Sequence, residues 1–285
     1  MDLGKRAKKR MAIIILLLAA AFLFCRFENG SITVTRLTIE SAKLPKAFTG
    51  LRIVHLSDLH GKSFGKNQEA LISKIKELKP DLIAFTGDLV DSGHYNEENG
   101  LCLLRQAETL APVFLVAGNH ECWSGKSAHL QTRLKNLGVQ VLNDCYIVLK
   151  RKDAEISIVG INDPAVDDGV YDARQSIKER LTQIIAGSTE RNYRILLAHR
   201  PEYIKTYASA GVDLVLAGHA HGGQVRLPFI GGLIAPGQGV FPKYSAGAYK
   251  MAGTTMIVSR GLGNSVIPQR LFNRPEVVLI TLENR

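Results

Sequence analysis

Short apolar runs rich in Ile, Val and Leu alternate along the chain with stretches in which apolar residues recur at helical spacing. This alternation predicts an α/β fold, because buried strands are short and apolar whereas surface helices repeat every 3.6 residues. The predicted strands are 32–39, 51–56, 82–86, 113–117, 139–142, 146–149, 156–161, 194–198, 214–217, 254–259 and 277–282. The predicted helices are 67–78, 97–110, 127–137, 173–185 and 201–208.

Residues 11–25 form an uninterrupted apolar run that ends at Arg26. A helix of this length covers roughly 22 Å, which is shorter than a hydrocarbon core of about 30 Å. A retained membrane anchor, a cleaved signal peptide and a buried core helix all fit this length. The run follows a cluster of basic residues: Lys5, Arg6, Lys8, Lys9 and Arg10.

Two features favour the retained anchor. The small residues Ala19, Ala20 and Ala21 lie inside the apolar run and not after it, where a signal peptidase would cut. Basic side chains at both ends can also extend the span by reaching toward the lipid headgroups. Because basic residues precede the segment, we expect the N-terminus in the cytoplasm and a single-pass cell-membrane protein with an extracytoplasmic domain.

The rest of the chain contains neither internal repeats nor a long linker. We therefore expect two parts: residues 1–30 as a basic cytoplasmic tail and membrane anchor, and residues 31–285 as one catalytic domain. The formal net charge is +10, but part of it belongs to the tail and the remainder is spread along the chain. Without a basic stripe, this charge does not favour nucleic acid as a partner.

Five of the predicted strands end in, or shortly before, a residue type that binds metal ions. Because the carboxyl ends of strands in an α/β sheet meet at one edge, these side chains can converge although they are far apart in sequence. Alternate residues of an extended chain also point the same way. The residues are Asp58 and His60, then Asp88 and Asp91, then Asn119 and His120, then His199, and finally His219 and His221.

Carboxylate, imidazole and amide ligands without thiolate suit Mn²⁺, Fe or Zn²⁺. Seven of these residues, the set without Asp91 and His120, already exceed what one ion needs, and two ions about 3.5–4 Å apart can share a carboxylate and activate water for an in-line displacement. Each short motif alone is more often turn chemistry. Five of the eight histidines nevertheless fall in these segments, so the joint pattern predicts a site with two divalent metal ions. His55, His94 and His129 lie outside it.

The motifs occur in a fixed order: Asp-x-His at Asp58, Gly-Asp-x-x-Asp at Gly87, Gly-Asn-His-Glu at Gly118, a solitary His199, and Gly-His-x-His at Gly218. In this order the chain resembles the calcineurin-like metallophosphoesterases over nearly all of residues 31–285. The segments 218–224 and 259–263, together with the N-terminal apolar run, are similar to the single-span membrane-anchored bacterial branch of that family.

The resemblance implies an α/β fold that is a four-layer αββα sandwich with two mixed β-sheets, preceded by one transmembrane helix. It implies that His120 stabilises the developing charge or protonates the leaving oxygen, and that Asp91 orients His120. It also implies two groups of metal ligands that share Asp88. The first group is Asp58, His60, Asp88 and His221, and the second is Asp88, Asn119, His199 and His219.

These residues predict hydrolysis of a phosphodiester, phosphomonoester or pyrophosphate by a metal-bound hydroxide. The alternative is a scaffold that keeps the fold without catalysis. Residues 222–247 predict a long loop with exposed apolar side chains such as Phe229 and Ile230. We expect this loop either to contact lipid, with a membrane-associated or lipid-linked substrate, or to be a self-packed lid. Some family members cleave UDP-2,3-diacylglucosamine at its pyrophosphate, which is compatible with the first alternative.

Overall fold

The computed structural model describes residues 2–167, 172–187, 192–265 and 267–285. Helices α1 to α7 span Asp2–Gly30, Glu69–Glu77, Glu98–Glu108, Asn119–Trp123, Ser127–Asn136, Ala173–Ala186 and Ile204–Ser209. Strands β1 to β9 span Thr33–Ser41, Leu51–Leu56, Leu82–Thr86, Val113–Val116, Gln140–Val141, Cys145–Arg151, Ala154–Gly160, Tyr193–Leu197 and Leu214–Ala217. Strands β10 to β16 span Arg226–Leu227, Gly231–Gly232, Ile234–Ala235, Gly239–Val240, Gly247–Met251, Thr254–Val258 and Glu276–Asn284.

Two six-stranded mixed sheets form the centre of the fold. The first has the strand order β1-β16-β2-β3-β4-β5, in which β2 to β5 run parallel and β16 is antiparallel to β2. The second has the order β14-β15-β9-β8-β7-β6, in which the four inner strands run parallel and both edge strands are antiparallel. The carboxyl ends of β2, β3 and β4 and those of β8 and β9 supply the predicted ligands.

Three apolar clusters show how the layers pack. Ile53, Phe114 and Ile280 belong to the cluster between the two sheets. Val54, next to Ile53 in β2, faces the opposite way and packs with residues of α2, α3 and α5, as alternation along a strand requires. A third cluster joins the second sheet to α6 and α7, with Leu181 at its centre. The predicted four-layer sandwich with two mixed sheets is therefore confirmed.

The predicted elements agree with the observed ones except in the segment from 222 to 251, in the predicted helix 201–208 and at α4. Residues 222–247, predicted as a loop, contain two short hairpins, β10 with β11 and β12 with β13. The edge strand β14 was not predicted; its residues alternate between partly buried and exposed, and none is fully buried. The predicted helix 201–208 consists of a 3₁₀ turn, Pro201–Tyr203, followed by α7. The short helix α4 directly after β4 was also not predicted.

Helix α1 is continuous from the basic tail to Gly30. Its portion Lys5–Gly30 has 26 residues and contains an 18-residue window with a mean hydropathy of 2.3, so it is long and apolar enough to cross a membrane. The side chains of its apolar run are mostly exposed, for example those of Leu16 and Leu18. The last turn of α1 behaves differently, because Glu28 is buried against the remainder of the protein.

Candidate metal centre

The predicted ligands come together where the carboxyl ends of strands from both sheets meet. Five of them adopt positive φ angles, which cost about 1–3 kcal/mol each for residues other than glycine. Such strain persists only where the surrounding structure fixes it, and it is typical of functional sites. These residues are Asp58 (53°), His60 (49°), Asp88 (55°), His219 (64°) and His221 (46°).

Asp58, His60, Asp88 and His221 form the first cluster, with one ligand atom of each within 4.8 Å of the others. His60 Nε2 lies 3.1 Å from His221 Nε2 and 3.6 Å from Asp88 Oδ2. His221 Nε2 lies 3.5 Å from Asp58 Oδ1. All four side chains are nearly inaccessible to solvent, so the cluster is closed to water on most sides.

Asp88, Asn119, His199 and His219 form the second cluster. His199 Nε2 is the common neighbour: it lies 3.2 Å from Asp88 Oδ2, 3.1 Å from Asn119 Oδ1 and 3.1 Å from His219 Nδ1. The two clusters share Asp88, whose Oδ2 faces His60 on one side and His199 on the other. A carboxylate shared between two groups of ligands is the arrangement expected for two neighbouring metal ions.

The hydrogen bonding of these residues fits metal ions. The Nδ1–H of His199 donates to the carbonyl of Thr86 at 2.7 Å, which leaves an acceptor lone pair on Nε2 in the neutral ring. In the neutral ring that lone pair faces the amide oxygen of Asn119, so both atoms are acceptors unless a proton occupies Nε2. A cation among these atoms removes the repulsion, and the Thr86 carbonyl is a typical outer partner of a histidine ligand.

The charges of the site point the same way. Burial lowers the pKa of both His219 and His221 well below the ordinary value, which keeps these rings neutral and able to bind a cation. Burial would raise the pKa of Asp88, but His199 and His60 outweigh it and hold that pKa well below its usual range. Burial would likewise lower the pKa of His199, but Asp88 raises it to about 10. Asp88 is therefore an ionised carboxylate, and a nearby positive charge stabilises it in this buried position.

Glu121 holds two of the ligand loops together, a role that sequence reasoning did not assign. Its buried carboxylate accepts hydrogen bonds from the backbone N–H groups of Asp88 at 2.9 Å, Val90 at 3.1 Å and Gly118 at 2.7 Å. The loops after β3 and β4 are thereby fixed to each other. Its position as the fourth residue of the Gly-Asn-His-Glu motif is the signal that marks it in the sequence.

Asp58 and Asp88 also serve as acceptors for the backbone. Asp58 Oδ1 accepts from the N–H of His219 at 2.9 Å, and Asp88 Oδ1 accepts from the N–H of His120 at 3.0 Å. The first of these bonds joins a loop of one sheet to a loop of the other. The ligands are thus oriented by the same contacts that align the two sheets.

His120 is more accessible than the ligands, since 17% of its side chain is exposed. The backbone N–H of Ser92 donates to its Nδ1 at 3.0 Å, so the neutral ring carries its proton on Nε2. The nearest carboxylate oxygen of Asp91 lies 3.8 Å from that Nδ1 and 3.5 Å from the Nδ1 of His60. Ser92 is a partner that sequence reasoning missed, and the role of Asp91 in orienting His120 stays a prediction.

The other three histidines lie outside the two clusters. His55 is buried in β2, where its Nε2 pairs with the hydroxyl of Thr86 at 2.8 Å, and burial lowers its pKa to about 3. His94 is exposed at the surface, and His129 lies 3.4 Å from Glu97.

Glycine is required where the loops approach the ligands most closely. A Cβ added at Gly118 would lie 2.3 Å from Asp88 Oδ1, and one added at Gly218 would lie 1.9 Å from Ser57 Oγ. No side chain fits at such distances. Glycine at these two positions therefore allows the backbone to pass close to Asp88 and Ser57.

We expect Gly118→Ala to displace the shared carboxylate of Asp88, and hence to reduce the bound transition metal to one ion or fewer per chain. Elemental analysis of the purified protein after incubation with Mn²⁺ checks this. Gly30→Ala is the matched control, because a Cβ at Gly30 meets nothing within 4 Å. Unchanged metal content in folded Gly118→Ala would contradict the assignment of Asp88 as the shared ligand.

Comparison with known proteins agrees with this geometry. The family profile described as Calcineurin-like phosphoesterase matches residues 51–223. The Bacillus subtilis metallophosphoesterase YkuE is 32% identical over 262 residues, which cover 90% of this chain and 87% of that protein. A zebrafish (Danio rerio) protein named transmembrane protein with metallophosphoesterase domain is 28% identical, over 96% of this chain and 63% of its own.

The sulfate thiohydrolase SoxB of Thermus thermophilus, a solved structure, superposes with a TM-score of 0.52. The superposition covers 81% of this chain and 56% of the SoxB chain, with 13% sequence identity. At this identity the likeness shows the fold alone. The paired His/Asp clusters, the two-sheet sandwich and the match over residues 51–223 agree with one another. The chain belongs to the calcineurin-like phosphoesterase family and is a phosphoester hydrolase with a cluster compatible with a dinuclear metal site.

Proposed function

We propose that this protein hydrolyses a phosphodiester, phosphomonoester or pyrophosphate bond with two divalent metal ions. The observation that carries the proposal is the position of Asp88, whose one carboxylate oxygen lies 3.6 Å from His60 Nε2 and 3.2 Å from His199 Nε2. Two groups of neutral or anionic ligands therefore share one carboxylate. No protein nucleophile is needed in such a site.

The two ions would be held by the two clusters. One would take Asp58, His60, Asp88 and His221, and the other would take Asp88, Asn119, His199 and His219. When bound, such a pair neutralises phosphate oxygens and lowers the pKa of water toward neutrality. The absence of thiolate from both clusters supports Mn²⁺, Fe or Zn²⁺ as the metal.

His120 would act on the leaving group. Its Nδ1 is occupied by the N–H of Ser92, so Nε2 is the nitrogen that can give a hydrogen bond or a proton to the substrate. To act as a proton donor the ring would take up a proton on Nδ1, which would then face the Asp91 carboxylate 3.8 Å away instead of accepting from Ser92. Burial lowers the pKa of His120, and such an imidazolium transfers its Nε2 proton more readily to a leaving oxygen. Asp91, close to both His60 and His120, would orient the two rings.

A non-catalytic scaffold is the competing function, and metal content separates the two. The complete set of seven ligands and their strained backbone support the catalytic alternative, because strain of this kind has no value in a scaffold.

The substrate would be lipid-linked. Phe229 and Ile230 at the tip of the first hairpin and Phe241 directly after the second are largely exposed, which supports lipid contact over a self-packed lid. Phe229, Ile230 and Phe272 line a cavity of about 470 Å³ together with Arg226. Apolar walls beside one cation suit a lipid with an anionic headgroup. UDP-2,3-diacylglucosamine is one compound of this class.

The ring of Phe272 lies 5.6 Å from that of Phe24 in α1. The exposed apolar rim formed by Phe229, Ile230 and Phe272 is therefore continuous with the helix that is able to cross a membrane. The zebrafish relative is named as a transmembrane protein. With the basic tail of α1 in the cytoplasm, the hydrolase would act at the extracytoplasmic surface of the cell membrane.

Replacing the shared ligand tests the reaction. We expect Asp88→Ala to lower turnover of bis(p-nitrophenyl) phosphate and p-nitrophenyl phosphate by at least about 1000-fold in Mn²⁺-loaded protein, because both ions lose a ligand. Asp153→Ala, in an exposed turn, is the control and keeps full activity. Equal rates for wild type and Asp88→Ala would rule out the proposed reaction.

Replacing His120 tests its assigned role. We expect His120→Ala to keep both metal ions and to lose about 10²- to 10⁴-fold in turnover of alkyl phosphate esters. The loss is smaller for p-nitrophenyl esters, since their acidic leaving group needs no proton. His94→Ala removes an exposed imidazole and is the matched control. An equal loss on both substrate types would exclude His120 as the proton donor.

Changing the hairpin tip tests the substrate class. We expect the double change Phe229→Ser with Ile230→Ser to lower hydrolysis of lipid phosphates or lipid pyrophosphates in vesicles at least about tenfold, since two apolar side chains lose their contact. Hydrolysis of water-soluble bis(p-nitrophenyl) phosphate stays unchanged. Val166→Ser, another exposed apolar position, is the control. Unchanged lipid turnover in the double variant would remove the support for a lipid substrate.

A further inference from the structure

The last turn of α1 is hydrogen-bonded to the segment from 269 to 273. The carboxylate of Glu28, 6% exposed, accepts from the backbone N–H of Asn273 at 3.1 Å. The side-chain oxygen of Asn29 accepts from the N–H of Arg270 at 2.8 Å, and the carbonyl of Cys25 accepts from the side chain of Gln269 at 3.1 Å. The end of the apolar helix is thereby fixed to the domain by side chain and backbone alike.

Asn273 reaches from this contact to the metal centre. Its side-chain amide, fully buried, donates to the carbonyl of His221 at 2.7 Å and to that of Gln224 at 2.8 Å. Both partners are carbonyl oxygens, so the donating nitrogen of the amide is assigned without ambiguity.

These two bonds close a turn that is otherwise unfavourable. Four successive residues have positive φ: His221 (46°), Gly222 (63°), Gly223 (80°) and Gln224 (60°). The carbonyls at the first and last of them are the two that Asn273 binds. Because two of the four residues are not glycine, this conformation needs an external restraint, and the amide of Asn273 supplies it.

Arg270 fixes the segment from within. Its buried guanidinium donates to the carbonyls of Asn273 at 3.1 Å, Arg260 at 3.0 Å and Gly263 at 2.9 Å. The N–H of Gly263 in turn donates to the carbonyl of Asp58 at 2.5 Å. Burial lowers the pKa of Arg270 to about 10, so it stays charged at neutral pH. The segment therefore has little freedom to move independently of the site.

We propose that Glu28 and Asn273 are positioning residues for the metal ligand His221. Glu28 fixes the backbone of Asn273, and the side chain of Asn273 holds the turn that points His221 Nε2 toward His60 and Asp58. The inference rests on the proposed dinuclear site and assigns to the end of the membrane helix a part in building it. Partners of this kind, one bond away from a ligand, typically change metal affinity 10- to 100-fold when they are removed.

The experiment uses the full chain in detergent and measures Mn²⁺ binding by equilibrium titration, with electron paramagnetic resonance to detect the coupled ion pair. We expect Glu28→Ala to weaken the binding of one of the two ions about 10- to 100-fold, and to abolish the coupled-pair signal at the Mn²⁺ concentration that saturates wild type. The other ion keeps its affinity. Glu28→Gln retains an oxygen acceptor and restores wild-type binding.

Two more variants complete the design. Asn273→Asp keeps the shape of the side chain but loses the two donors, and we expect it to weaken the binding of the same ion about 10- to 100-fold. It provides the test if Glu28→Ala does not fold. Arg26→Ala, two residues before Glu28, changes a side chain that lies over the ring of Phe22 and leaves binding unchanged.

Wild-type affinity for both ions and a normal coupled-pair signal in folded Glu28→Ala or in Asn273→Asp would overturn the inference. A general loss of both ions in these variants would overturn it as well, since it would indicate a structural role only. Failure of wild type itself to bind two ions would instead refute the proposed function, so the two failures are distinguishable.

Discussion

The structure depends on how closely the side chains of the two clusters pack against one another around Asp88. His60 Nε2 and His221 Nε2 are 3.1 Å apart, as are His199 Nε2 and Asn119 Oδ1. When all of these atoms are unprotonated, as metal binding requires, they are acceptors, and acceptors in buried contact repel each other unless a positive charge lies among them. The fold must therefore hold the ligands against this repulsion until a cation, or a proton in its absence, compensates it. The high pKa of His199 beside Asp88 is consistent with a proton in that role.

The two-sheet sandwich supplies the restraint. The parallel strands of each sheet end at the same rim, and the apolar layer between the sheets fixes how far apart the two rims lie. Cross-sheet bonds then set the side chains: His199 donates to Thr86, and the N–H of His219 donates to Asp58. Glu121 aligns the loops within the first sheet. Five of the predicted ligands have positive φ angles. The surrounding structure therefore holds these loops in a strained backbone conformation.

The sequence predicts the centre of this arrangement better than its support. Asp58 and His60 follow a strand at alternate positions, and this local pattern predicts that both side chains point to the same edge of the sheet. Ser92 and Asn273 act through contacts that no local rule encodes: Ser92 uses its backbone, and Asn273 lies 52 residues from His221 in the chain. The two hairpins within 222–247 were missed because their strands have two residues each, too few for an alternating pattern to show.

The connection between α1 and the domain limits where the substrate can be. Residues 31 and 32 are all that separates Gly30 from the first residue of β1, and two extended residues span only about 7 Å. The bonds from Glu28 and Asn29 to the segment that carries Asn273 remove even this freedom. With α1 in a bilayer, the metal centre would be held at a fixed height and orientation above the membrane, unlike a domain on a flexible tether. A phosphate ester held in the membrane surface meets such a site by lateral diffusion, whereas a substrate elsewhere must first come to the membrane. If α1 spans a membrane, the short junction and the exposed apolar side chains beside it would therefore act together on the proposed lipid-linked substrate.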